Sequence, residues 1–153
     1  MASAHPFRFL FILLTVALLP VGCAYRPPTL TVADARISEQ TEAGYVITFD
    51  IDAANDNAIE LPLARIDYVV FLDGERVFTG TRSAEASLRR RGVQRLTLPA
   101  AVTADTMPHG QSEYRLSGRL TYLIPGRLAE VLFDAGVLRP RVGFSAEGQI
   151  ETP

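Results

Sequence analysis

Lysine is missing from this sequence: all fifteen basic residues are arginine. That one-sidedness reflects base composition in the source genome before it reflects function. Cysteine occurs once, at Cys23, so no intramolecular disulfide can close the fold and stability has to come from an apolar core. Histidine is almost as scarce. Beyond the first 22 residues only His109 remains, in Met107-Pro108-His109-Gly110, where proline and glycine mark an exposed loop and no orienting partner is evident. No glycine-rich phosphate loop, zinc spacing or nucleophile elbow occurs. These absences argue against an enzyme and against a cofactor, and no small-molecule substrate is inferred.

Positive charge is also in short supply. Once Arg8 is removed with the leader, fourteen arginines face seventeen acids, a net charge of about −3. A mildly acidic domain without a dominant basic face is a poor nucleic-acid binder. The one local basic cluster is Arg89-Arg90-Arg91. It reads as a solvated loop between strands, the alternative being a patch that grips lipid phosphates or another anionic polymer through charge-assisted hydrogen bonds.

The apolar run from Phe9 to Leu19 is eleven residues, against the ~20 of a membrane-spanning helix. A weakly basic start before it and small residues after it give residues 1–22 the layout of a secretory signal. The segment is similar to bacterial lipoprotein signals, whose cysteine at the cut is acylated. Val21-Gly22 match that pattern, whereas Pro20 stands where leucine is usual. The lone thiol falls where lipidation requires it, so Cys23 is the expected membrane anchor, and its acyl chains exceed the two-signal requirement for stable attachment. Ala24, rather than aspartate, implies by the same resemblance the periplasmic face of the outer membrane. The alternative is a secreted soluble protein. Residues 23–29, with Pro27-Pro28, read as a short extended tether spanning about 20 Å.

From residue 30 onward, apolar residues alternate at period two, the mark of half-buried strands. Leu30–Ser38 is the first, with its alternation slipping at Asp34 as at a bulge. Tyr45, Ile47, Phe49 and Ile51 share one face of the second, with Val46, Thr48, Asp50 and Asp52 on the other. Ile66, Tyr68, Val70 and Leu72 lead into Asp73-Gly74, a type I′ hairpin signal, with a return strand from Glu75 to about Ser83. Val93–Leu98, Tyr114–Tyr122 and Arg141–Ile150 complete seven strands. Between the last two, Leu128, Val131, Leu132 and Ala135 recur at helical spacing, and Gly136 is placed as a C-terminal cap. The expected fold is all-β: a seven-stranded, immunoglobulin/fibronectin-III-like sandwich over residues 30–153, with one short helix at 127–136 packed on it.

Asp50 and Asp52, followed by Asn55-Asp56-Asn57, invite comparison with a calcium loop. Counted from Asp50, Asp52 is third, but Ala54, Asn55 and Leu61 occupy the fifth, sixth and twelfth positions, where an EF-hand needs an oxygen ligand, glycine and glutamate. The pattern fails, and only Asp50 and Asp52 keep a weak candidacy for a looser cation site. Asn55-Asp56-Asn57 reads instead as Asx-turns with left-handed backbone, and Leu61-Pro62-Leu63 as a proline-bounded crossing to the other sheet.

An alternating strand, the Asn55-Asp56-Asn57 turn, Leu61-Pro62-Leu63 and then ARIDYVVFLDGERVFTG resemble the water-stress and hypersensitive-response (WHy) domain of group-2 late embryogenesis abundant (LEA_2) proteins. The family pattern has Asn-Pro-Asn at the turn; here Asp56 replaces the proline. YRLSGRLTY and FSAEGQI fit bacterial lipoproteins of the same family, and the resemblance spans Leu30 to Ile150. It implies a seven-stranded sandwich with little helix, and a protective role in water stress without catalysis, exerted on protein clients or membranes. A rival expectation is an accessory module that docks on an envelope protein or an anionic polymer.

Overall fold

The computed structural model describes residues 25–84 and 86–152. The leader at 1–22, Cys23 and Ala24 lie outside the described residues. The strands are β1 (Thr29–Thr41), β2 (Gly44–Asn55), β3 (Leu61–Leu72), β4 (Glu75–Ser83), β5 (Ser87–Leu88), β6 (Gly92–Thr103), β7 (Gly110–Tyr122) and β8 (Arg141–Thr152), with a helix α1 (Arg127–Asp134) before β8. One sheet has the order β1-β2-β6 and the other β4-β3-β7-β8, with β5 paired to the start of β3. The pairings are antiparallel. The chain changes sheets after β2, again before β6 and again after it. This is the immunoglobulin/fibronectin-III-like sandwich that the alternation predicts. β5 is a further strand, two residues long and too short to leave a periodic signal.

The inner faces carry the apolar halves of the alternation. Ile47, Phe49 and Ile51 of β2 face Ile66, Tyr68, Val70 and Leu72 of β3 and Leu116 and Leu120 of β7, all buried. Phe49 meets Tyr114 edge to face, ring centroids 5.5 Å apart. The Tyr68 hydroxyl donates to the Pro99 carbonyl and so ties the two sheets together. Phe144 covers Gly118, where an added Cβ would stand 2.4 Å from the ring. At the β3–β4 hairpin Asp73 (φ 48°) and Gly74 (φ 86°) form the expected I′ turn, with Leu72 opposite Glu75. The slip in β1 is a register shift between Val32 and Asp34.

Four expectations need correction. β6 continues past Leu98 to Thr103, because it is an edge strand, where Pro99 is tolerated, and Ala100 and Val102 keep the inward alternation. β3 begins at Leu61, with Pro62 inside the strand opposite Ser87 of β5, so the crossing occupies residues 56–60 instead of the proline itself. The tether is no free linker from Tyr25 onward. Tyr25 stacks on Tyr122 at 6.5 Å, Pro28 is buried, and Arg26 exchanges two backbone hydrogen bonds with the Asn57 side chain. Finally, α1 forms and ends as expected, but Leu128 and Val131 remain 73% and 63% exposed. Helical spacing says that these residues share a face; it cannot say which way that face looks. The Gly136 and Val137 N–H groups close on the Phe133 and Leu132 carbonyls, with Gly136 at φ 75°, a Schellman ending.

Candidate functional site

Period two puts Asp50 and Asp52 on the outer face of β2, as expected, and the pairing decides what they meet. Asp50 lies opposite Asp34 on one side and Thr97 on the other, while Asp52 lies opposite Arg95. Two carboxylates directly across a ladder repel. Arg36 Nη1 resolves this by donating to both Asp34 Oδ2 and Asp50 Oδ2 at 2.7 Å. Thr97 Oγ1 donates to Asp50 Oδ1 at 2.8 Å, and Arg95 holds Asp52 through Nε (2.9 Å) and Nη2 (3.1 Å). The hydrogen bond from Arg36, then that from Thr97, holds the Asp50 carboxyl below the usual carboxylate range, although partial burial opposes it. Arg95 does the same for Asp52. Both carboxylates are thus engaged by guanidinium groups. Among the described residues no three His, Cys, Asp or Glu side chains gather as a metal site.

The turn after β2 is more consequential. Asn55 is 1% exposed. Its Oδ1 accepts from the Asn57 backbone N–H (3.0 Å) and from Asn57 Nδ2 (2.9 Å), which is the expected Asx-turn. Its Nδ2 donates to the carbonyls of Ile59, Leu88 and Arg89 at 2.8, 3.3 and 3.2 Å. Asn57 passes the connection on by gripping Arg26 and by accepting the Arg91 N–H at its carbonyl. Asn55 and Asn57 together thereby join the β2–β3 crossing, the β5–β6 turn and the N-terminal segment. Asp56 is exposed, and the left-handed backbone expected here is absent, since neither Asn55, Asp56 nor Asn57 has a positive φ. The hydrogen bonds of Asn55 hold the turn without it.

Arg89, Arg90 and Arg91 sit exposed in the β5–β6 turn, and Arg91 adopts φ 47°. They lie on the same end of the sandwich as Asn57, Tyr25 and α1, an association that only the crossings create. His109 is exposed in the β6–β7 loop at the opposite end, away from the other candidates. Leu61 and Pro62 open β3 beside β5, with Pro62 accepting the Leu123 N–H. Tyr25, which the sequence placed in the tether, is pressed against Tyr122. Burial, then the neighbouring Tyr122, pushes its phenol up to about 12. The roles of Arg36, Arg95 and Thr97 were not visible beforehand. Their alternation was, but their partners depend on register.

No curated protein matches the chain. Its fold is similar to the solution structure of a putative late embryogenesis abundant (LEA) protein, at 22% identity over 95% of this chain and 79% of that one, TM-score 0.63. It is also similar to a solution structure from Arabidopsis thaliana (16% identity, 87% and 89% covered, TM-score 0.66) and to a crystal structure of a protein from Archaeoglobus fulgidus (13%, 82% and 98%, 0.56). At these identities the likeness concerns the fold. The sequence profile described as late embryogenesis abundant protein matches residues 50–148, from the Asp50 of the outer-face network through the Asn55 turn and on into β8, and the chain belongs to this LEA_2 family.

Proposed function

We propose that this chain is a non-enzymatic envelope lipoprotein of WHy type, which protects neighbouring proteins or membranes during water loss. The observation that carries the reading is the LEA_2 match over 50–148, in a family related to water stress. The physics of the outer face supports it. Asp34, Arg36, Asp50, Asp52 and Arg95, on β1, β2 and β6, are already paired with one another, and Coulomb attraction scales inversely with the dielectric constant. As water leaves, these pairs tighten instead of losing partners, so the shield outlasts what it shields. Labile enzyme dried or frozen with the purified protein should retain more activity than with an equal mass of an unrelated sandwich. Equal retention sinks the stress reading. The anchor is tested separately: Cys23→Ala should move the protein from the membrane fraction to the soluble one.

A second reading, an accessory module on an envelope protein, is favoured by the edges of β1 and β8, which are not hydrogen-bonded to each other although they run side by side. They flank a groove of about 610 Å³ lined by residues 35–40 and 149–151, and an extended partner segment could add to either edge. Crosslinking in cells separates the two: one stoichiometric partner favours docking, a diffuse set favours protection.

A further inference from the structure

We infer that the end of the sandwich from which the N-terminal segment leaves is a membrane-contacting face that seats on anionic phospholipid headgroups. The inference rests on the reading of Cys23 as a lipid anchor. The chain fixes the orientation. Tyr25 and Arg26 are bound to this end through Tyr122 and Asn57. Only Ala24 separates Tyr25 from Cys23, and two residues reach about 7 Å at most. A lipid on Cys23 therefore holds this end, and no other, against the bilayer.

Charge is divided along the same axis. Arg89, Arg90, Arg91, Arg127 and Arg141 are exposed at the anchored end, and none forms an ion pair among the described residues. Asp56, Glu60, Glu130 and Asp134 share this end, so it is amphoteric, but with Arg26 and Arg139 added arginine is in excess. The far end carries Glu42, Asp73, Glu75, Asp105 and Glu151, all exposed, against Arg76. Net charge alone would predict repulsion from an anionic surface. Screening reverses that, because acids at the far end lie well beyond the Debye length of about 8 Å at physiological salt.

Apolar surface completes the face. The large exposed hydrophobic side chains Ile59 (45%), Val93 (66%), Leu128 (73%) and Val131 (63%) belong to the crossing, the start of β6 and α1, all at the anchored end. Val137 and Leu138 follow in the same connection. Apolar residues interleaved with arginine make an interfacial surface, with the aliphatic side chains at the acyl boundary and guanidinium groups on phosphate.

Single cysteines test this in the full, anchored chain: Leu128→Cys or Val131→Cys on α1, and Glu42→Cys at the far end, each bearing an environment-sensitive fluorophore. The chain is reconstituted on phosphatidylglycerol or phosphatidylcholine vesicles, and the mass of the Cys23 peptide is read in the same sample. Aqueous quencher should reach positions 128 and 131 far less than position 42 on phosphatidylglycerol. Reversing Arg89, Arg90 and Arg91 to glutamate should restore access, each arginine being worth about fivefold in contact with an anionic surface. Equal access at 128 and 42 with an acylated Cys23 overturns the inference and leaves the anchor standing. An unacylated Cys23 removes both. Shielding at 128 in cells but not on vesicles assigns the face to a protein and overturns the lipid assignment.

Discussion

Replacing Asn55 by alanine removes the side chain that ties the β2–β3 crossing to β5 and the β5–β6 turn and positions Asn57 for its hold on Arg26. The lost amide supplied two N–H groups shared among the carbonyls of Ile59, Leu88 and Arg89, and an oxygen that took two hydrogen bonds from Asn57. At 1% exposure little water can replace them. A hydrogen bond contributes about 1 kcal/mol net, and a buried carbonyl left without a donor costs about 1–3 kcal/mol, so the loss should come to about 3 kcal/mol. For a domain of this size that lowers Tm by about 10 °C. Asn55→Asp keeps the shape but turns an oxygen on three carbonyls, and it should cost more than alanine. Asp56→Ala, at the exposed centre of the same motif, should stay within about 0.5 kcal/mol. Thermal and denaturant unfolding followed by circular dichroism gives all three values. Hydrogen exchange at the Arg26 amide, bonded to Asn57 Oδ1 at 3.0 Å, should accelerate in Asn55→Ala as the N-terminal segment loosens. An Asn55→Ala protein as stable as the parent, or an Asp56→Ala protein destabilised as much as it, would refute the assignment of the turn to Asn55.

Gly118→Ala places a Cβ 2.4 Å from the Phe144 ring and 2.9 Å from the Asp67 carbonyl, a backbone atom that cannot swing aside, and should cost about 2 kcal/mol. Gly143→Ala, whose nearest neighbour is 3.8 Å away, is the control and should unfold with the parent. Because Asp50 titrates lower in the folded state than in the unfolded one, its stabilisation is complete above the ordinary aspartate value near 3.9 and disappears as pH falls through the lower folded value. A Tm profile against pH should fall less steeply over that acid window in Asp50→Asn. An unchanged slope would show that Arg36 and Thr97 do not hold the carboxylate in solution.

Alternation alone carried the fold class. Seven segments with apolar residues two apart can bury them only by forming strands, and a chain that cannot use disulfides has to close two such faces on each other. Asp73-Gly74 was equally legible, because a two-residue turn needs positive φ and few residue types supply it. Gly136 marked the end of α1 for the same reason. The family likeness was readable too, since it rests on the order of short motifs. What remained hidden depends on register and on crossings. Asp50 and Asp52 looked like candidate cation ligands until the pairing of β1, β2 and β6 set Arg36, Thr97 and Arg95 beside them, because a strand's own sequence gives the face of a side chain and not its neighbour across the ladder. The outward aim of Leu128 and Val131, and the docking of Tyr25, were likewise decided by where the chain crosses. Sequence determined which residues go inside this sandwich; tertiary structure decided which distant ones, such as Arg26, Asn57 and Arg91, share an end, because that requires strands far apart in the chain to close in space.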